Sequence, residues 1–382
     1  MQSTAVHDVE HVIWSAQPHE LLDAATAAIV RYAGAAGAEV LLADYRQARL
    51  VPSALDRPPV AVDGTDAGHA FAAQAVVTAA DGRTLHLPLT VHGDRVGVLT
   101  VAFGDPPDAG LRARLAALAT VLGRAVKLAE AQTDLFRRIR RRARLTLAAE
   151  MQWDLLPGRS CTAAEFQLAG QLEPAYAVWG DNFDWSVTGD RLTLSVSNGM
   201  GSGTEAAALT HLAISALRNA RRSGADLPEQ AALADQTVYA HHRGDRHVAT
   251  LLMDVDLATG RARAVDAGSP RVYRLRGGRT EAVTFEEQLP LGMFGDSPYE
   301  TEAFAVEPGD RLVVVSDGVH AARSAGGALY GDEPLARALR DTRLQNPPEA
   351  VRSLLRRFGD HHGGAEQADD AVIVCLDWTG RP

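Results

Sequence analysis

The stretch RLTLSVSNGMGSGTEAAALTHLAISALRNARRSG at 191–224 decides the reading of this chain. LTLSVS is a β-run. It empties into Asn198-Gly-Met-Gly-Ser-Gly203 and passes straight into a helix over Thr204–Arg222. Working outward, Asp181 and Asp184 open the preceding β-run in Gly180-Asp-Asn-Phe-Asp184. Further on, RLVVVS ends at Asp317-Gly318, and Asp369-Asp370 opens one more run. Acidic residues beside glycines, repeated at strand ends, are what a hard cation requires. Oxygen ligands suit Mg²⁺ or Mn²⁺, and glycine lets backbone carbonyls or waters approach the ion. An Asp-Gly after one strand is commonly just a turn, so the argument rests on the four segments together. A glycine loop before a helix also cradles nucleotide phosphates, but neither a P-loop lysine nor a GxGxxG register is present.

Length and charge narrow the class. At 382 residues two or three domains are expected. The formal charge of −10 argues against nucleic acid as a partner, because phosphate neutralisation needs a basic face. Only Cys161 and Cys375 occur, outside any CxxC, which disfavours disulfide frameworks and structural zinc and suits a reducing compartment. No stretch reads as a signal peptide or approaches the ~20 apolar residues of a membrane span. The expectation is a cytoplasmic protein.

The chain reads as three parts of α+β class. Residues 10–108 carry one amphipathic helix (Leu21, Ala25, Ala28, Ile29, Tyr32) and then short β-runs at Glu39–Ala43, Ala75–Ala79, Thr84–Thr90 and Val96–Phe103, with turns at Asp81-Gly82 and Gly93-Asp94. Residues 109–157 read as a helical linker. Leu111, Leu115, Leu118, Leu122 and Ala125 form a coiled-coil-like seam that predicts a homodimer, since so narrow a seam needs a partner helix. Arg137, Arg138, Arg140, Arg141, Arg142 and Arg144 follow, read as a solvated face rather than a patch for an acidic partner or lipid. Residues 160–380 alternate β-runs with two helical pairs, Thr204–Arg222 with Pro228–His242 and Pro334–Asp341 with Pro347–Gly359. That order predicts a β-sandwich flanked by helices.

Seven collinear stretches resemble the SpoIIE branch of the metal-dependent (PPM) serine/threonine protein phosphatases. They are LAAEMQWDLLP (147–157), GDNFDW (180–185), SNGMGSGTEAAALTHLAISALRNARRSG (197–224), AGSP (267–270), LPLGMF (289–294), PGDRLVVVSDGVHAAR (308–323) and ADDAVIVCLDW (368–378). The resemblance implies an αββα sandwich with two Mn²⁺ or Mg²⁺ ions and a phosphoprotein substrate, an anti-sigma-factor antagonist. By position it implies that Asp317 with Asp369 or Asp370 holds one ion and that the Gly199 carbonyl touches a second. It places Asp181 and Asp184 beside the ions, directly or through water. The helix at Met151–Leu156 resembles a switch that shapes the metal site. The turn Gly64-Thr-Asp-Ala-Gly-His-Ala-Phe71 and LPLTVHGDRVGVLTV (87–101) resemble a GAF sensor domain. Its input is not readable; cysteine-linked chemistry is excluded, and His69, His86 and His92 read as surface residues rather than cofactor ligands.

Three positions depart from the family pattern. Asn198 stands where the resemblance implies an aspartate bridging both ions; an amide brings no negative charge and its NH₂ cannot face a cation. Ser202 replaces a common histidine, and Ser269 with Arg271 replaces a His-Pro-Pro stretch. Ser202, Ser269 and Arg271 are candidates for substrate contact, and Asp181, Asp184 and Asn198 for catalysis. Retention of Asp181, Asp184, Asp317, Asp369 and Asp370 favours a working phosphatase; Asn198 favours a pseudophosphatase that senses a ligand and grips a partner.

Overall fold

The computed structural model describes residues 2–54, 57–141, 145–174, 178–324, 326–331, 333–362 and 369–381, with side chains from residue 6 onward. The chain divides into two units, Met1–Arg144 and Leu145–Pro382.

In the first unit the elements run α1 (Gln2–Ser15), α2 (Leu21–Ala33), β1 (Gly37–Ala43), β2 (Arg49–Pro52), β3 (Val60–Ala61), α3 (Asp66–Ala73), β4 (Val77–Thr78), β5 (Thr84–Val91), β6 (Asp94–Ala102), α4 (Ala109–Ala129) and α5 (Leu135–Arg140). The sheet order is β3-β2-β1-β6-β5-β4. Period-two alternation sends Val40 and Leu42 to one face, where α1, α2, α4 and α5 cover them, and Leu41 and Ala43 to the other, against α3. The Gly64–Phe71 stretch, read as a turn, is largely α3. Thr65 caps it by accepting a hydrogen bond from the Gly68 N–H.

The run read as one linker helix is broken into α4, α5 and α6 (Leu147–Leu155), and the last of these belongs to the second unit. Leu115, Leu118 and Leu122 are fully buried in the first unit's own core, with Ala125 beside them. That overturns the reason for expecting a homodimer through this seam, because its apolar stripe is already covered within one chain. Arg140 pairs with Glu130 at 2.6 Å; Arg142 and Arg144 lie outside the described residues.

The second unit continues with β7 (Ser160–Thr162), β8 (Phe166–Glu173), β9 (Asp181–Thr188), β10 (Arg191–Gly199), α7 (Gly203–Arg222), α8 (Leu227–His242), β11 (Val248–Asp256), β12 (Arg261–Ala267), β13 (Arg271–Arg276), β14 (Arg279–Val283), β15 (Glu302–Ala305), β16 (Arg311–Val315), α9 (Asp317–His320), α10 (Glu333–Asp341), α11 (Pro347–His361) and β17 (Ala371–Trp378). Two antiparallel sheets form, β15-β12-β11-β10-β9 and β14-β13-β16-β17-β8-β7. Leu312 and Val314 of β16, with Val372, Val374 and Leu376 of β17, face the other sheet's Leu192, Leu194 and Val196. The alternate residues Val313, Val315, Ile373 and Cys375 face outward under α10 and α11, while α7 and α8 cover β11 and β12. This is an αββα sandwich, as expected. Helix starts obey local chemistry: Asp226 and Glu229 make a capping box on α8, and Asn346 caps α11 ahead of Pro347. Among the described residues no helix is long and apolar enough to cross a membrane.

Candidate metal centre

The acidic residues converge because four strand ends meet at one edge of the sandwich. The β9–β10 register sets Asp181 opposite Asn198. On the facing sheet, the neighbours β16 and β17 bring Asp317, two residues past the end of one strand, beside Asp369 and Asp370, just before the start of the other. Two glycines permit the approach. A Cβ on Gly318 would stand 1.9 Å from the Asp370 carbonyl oxygen, and one on Gly199 would stand 2.1 Å from the Thr210 hydroxyl.

Asp181 is fully buried, and neither carboxylate oxygen has a hydrogen-bond partner in the structure. Burial first, then the negative charges of Asp370, Asp317 and Asp369, holds its carboxyl well above the usual range; the nearby Ser316 hydroxyl offsets only a little of this. Val372 N–H donates to that hydroxyl at 3.0 Å. Asp369 is pushed up to about 7 by burial and then by Asp317. Such a set lacks positive charge.

Asp370 behaves differently. Its Oδ2 accepts hydrogen bonds from Gln152 Nε2 (2.7 Å) and from the backbone N–H groups of Trp179 (2.7 Å), Gly180 (3.0 Å) and Asp181 (3.3 Å). It ties the segment before β9 to β17, whereas Asp369 is half-buried at the cluster's edge with Oδ1 accepting from the Asp370 N–H at 2.8 Å. Asn198 donates from Nδ2 to Asp317 Oδ1 at 2.5 Å, and the Gly318 N–H donates to the same oxygen at 2.9 Å. The amide thus supplies Asp317 with the partial positive charge that a cation would bring. The Gly199 carbonyl oxygen stands 2.9 Å from where a Gly180 Cβ would sit. Among the described residues no three His, Cys, Asp or Glu side chains are gathered in ion-holding geometry.

Asp184 is not part of this cluster. Three residues along a strand from Asp181, it lies on the opposite face, where Arg218 Nη2 (2.8 Å) and Arg221 Nη2 (3.0 Å) hold its carboxylate. It pins α7 to β9. Ser202 is exposed at the N-terminus of α7 and its side chain makes no capping bond. Ser269 keeps a buried hydroxyl without a partner, and its carbonyl lies 3.0 Å from His320 Nε2. Arg271 is exposed at the start of β13. His320, which sequence reasoning passed over, sits among Ser269, Arg271 and Asp317, and burial lowers its pKa. His86 meets Thr100 Oγ1 at 3.0 Å on the first unit's sheet, while His69 and His92 are exposed.

Gln152 of α6 was also missed. Fully buried, it donates to the Asp181 carbonyl (2.9 Å) as well as to Asp370, and its backbone carbonyl accepts from Asn182 Nδ2 at 3.0 Å. Nothing in a lone glutamine on a helix announces such a role; only its place in LAAEMQWDLLP hinted at it.

An αββα sandwich with aspartates collected at its strand ends defines a PPM-type phosphatase domain. The chain belongs to the SpoIIE family: the family model described as Stage II sporulation protein E (SpoIIE) matches residues 188–379. Protein IcfG of Synechocystis sp. is 23% identical over 265 residues, covering 62% of this chain and 41% of IcfG, so the chain spans less than half of that relative. Two solved structures share the fold. One holds the PP2C phosphatase domain and a fragment of the regulatory domain of the cell fate determinant SpoIIE from Bacillus subtilis (TM-score 0.51, 19% identity, 58% of this chain and 66% of that one). The other is the SiaA-PP2C domain of Pseudomonas aeruginosa (TM-score 0.50, 21% identity, 55% and 85%).

Proposed function

We propose that the second unit hydrolyses phosphoserine or phosphothreonine on a regulatory protein of the anti-sigma-factor-antagonist kind, and that it needs Mn²⁺ or Mg²⁺ to do so. The observation that carries this reading is Asp181, a buried carboxylate with two unpartnered oxygens set among three other acids. A carboxylate so buried is costly until a cation or a proton neutralises it. Asp181, Asp317 and Asp369 are the ligands such an ion would draw together, since without it they are not gathered in ion-holding geometry, with Asp370 fixing the backbone beneath and Gly199 the carbonyl nearest a second ion. When bound, the metal lowers the pKa of its water and neutralises phosphoryl charge. The residues fit one ion better than a bridged pair, since Asn198 offers no charge to share. Arg271 and Ser269, flanking the cluster through His320, are the candidate contacts for the substrate's phosphate or chain, and Ser202 lines the glycine loop.

The first unit is proposed as a GAF-like sensor. Gln152 gives α6 a direct hold on both Asp370 and the Asp181 backbone, so a shift of that helix would move the cluster. A second reading, a pseudophosphatase that binds partners without turnover, draws on the Asn198–Asp317 hydrogen bond. Mn²⁺-dependent hydrolysis of a phosphopeptide by wild type beside Asn198→Asp separates the two. Turnover by wild type supports the enzyme. Turnover by the variant alone supports the pseudophosphatase, and inactivity of both sinks the enzymatic reading.

A further inference from the structure

A cavity of about 310 Å³ opens in the second unit at the other end of β9 and β10 from the acidic cluster. Thr188, Arg191, Arg221, Asp226, Asp254 and Arg263 are among its lining residues. Its volume falls at the lower end of the range for small-molecule pockets. Three arginines and two aspartates are thus among the residues that line it.

The ion pairing is economical. Asp254, only 5% exposed, accepts from Arg263 Nε (3.2 Å) and Nη2 (2.7 Å) and from Arg191 Nη1 (2.5 Å). Arg221 turns Nη2 away to Asp184. Each guanidinium carries five N–H donors in a fixed fork. These bonds use two nitrogens of Arg263 and one each of Arg191 and Arg221. The cross-strand register accounts for the grouping: Thr193, Asp254 and Arg263 are successive partners across β10, β11 and β12. Arg191 opens β10 beside them, and Arg221 comes down from the last turn of α7.

We propose that this cavity is an anion site for a small phosphate-bearing solute, with Arg191, Arg221 and Arg263 as its donors. Guanidinium forks match phosphate oxygens bidentately, and Asp254 competes for two of the forks when the site is empty. Because Arg221 is shared with Asp184, occupancy bears on the strand that carries Asp181. The proposal does not depend on catalysis.

Equilibrium dialysis of the metal-free full chain against inorganic phosphate, at constant ionic strength, tests it. A phosphomonoester, glycerol 3-phosphate, serves as a parallel probe for the ester source. Saturable binding is expected, roughly fivefold or more weaker in Arg191→Gln, whose loss leaves Arg263 to hold Asp254. In Asp254→Asn, which releases both forks from a competing carboxylate, binding tightens by a similar factor. Asp317→Asn, in the acidic cluster, leaves it unchanged. Tighter binding of the ester than of phosphate identifies a phosphorylated metabolite as the ligand class, and the reverse identifies free phosphate. Absence of saturable binding of either probe, or binding that responds to Asp317→Asn and ignores Arg191→Gln and Asp254→Asn, overturns the proposal.

Discussion

Replacing Asn198 by aspartate probes the centre most directly, because metal should offset the destabilisation that the change causes in the metal-free protein. The amide donates to Asp317 Oδ1 at 2.5 Å. Losing a hydrogen bond to a charged group costs ~1.5–3 kcal/mol. A second carboxylate at ~3 Å adds a repulsion bounded by ~5.5 kcal/mol at an effective dielectric of ~20. Proton uptake relieves much of that repulsion, leaving a net destabilisation of ~2–4 kcal/mol. For a unit of this size that lowers the Tm by ~5–15 °C. With Mn²⁺ the new carboxylate becomes a ligand, and an ion at a hundred times its Kd returns ~2.7 kcal/mol. Thermal melts of both proteins in EDTA and across a Mn²⁺ titration read this out without any substrate. The variant is expected to melt lower than wild type in EDTA and to gain more from Mn²⁺. A variant at least as stable as wild type in EDTA, or equal Mn²⁺ shifts in the two proteins, would refute the view that the amide stands in for a cation.

Three further outcomes are expected. Asp184→Asn strands Arg218 and Arg221 and should cost ~3–5 kcal/mol of stability, seen in urea unfolding, while calorimetric Mn²⁺ affinity stays the same; a large loss of affinity would return Asp184 to the metal site. In EDTA, stability should fall as pH rises from about 4 to about 7 in the part due to Asp369. The folded protein there keeps protons that the unfolded chain, titrating near 3.8, has released, so the unfolded state binds fewer and gains with pH. Asp181 acts in the same direction. Urea midpoints of wild type and Asp369→Asn across that window should show a shallower fall in the variant. Leu118→Ala, in the first unit's core, should destabilise by ~2–5 kcal/mol and leave the mass seen by light scattering unchanged; dissociation of a dimer would restore the seam as an interface.

Most of the second unit was legible because its signals are local. The expected helices Thr204–Arg222 and Pro228–His242 are each one residue short of α7 and α8. Alternation, proline and capping residues act within a turn or a strand, so they survive in a single sequence. The linker misled for the same reason. A three-four leucine spacing describes a stripe, and a stripe does not say whether another chain or its own sheet covers it.

The sequence by itself determined the αββα fold, the family and the collection of aspartates at strand ends. It also exposed the missing charge at Asn198, since charge is a property of the residue and needs no coordinates. Tertiary structure alone decided the roles within that set. Strand parity turned Asp184 toward arginines, four donors occupied Asp370 while Asp369 stayed at the edge, and Gln152 arrived from a helix outside the sheets. These outcomes depend on which atoms meet across long separations in the chain. No spacing along the chain records that.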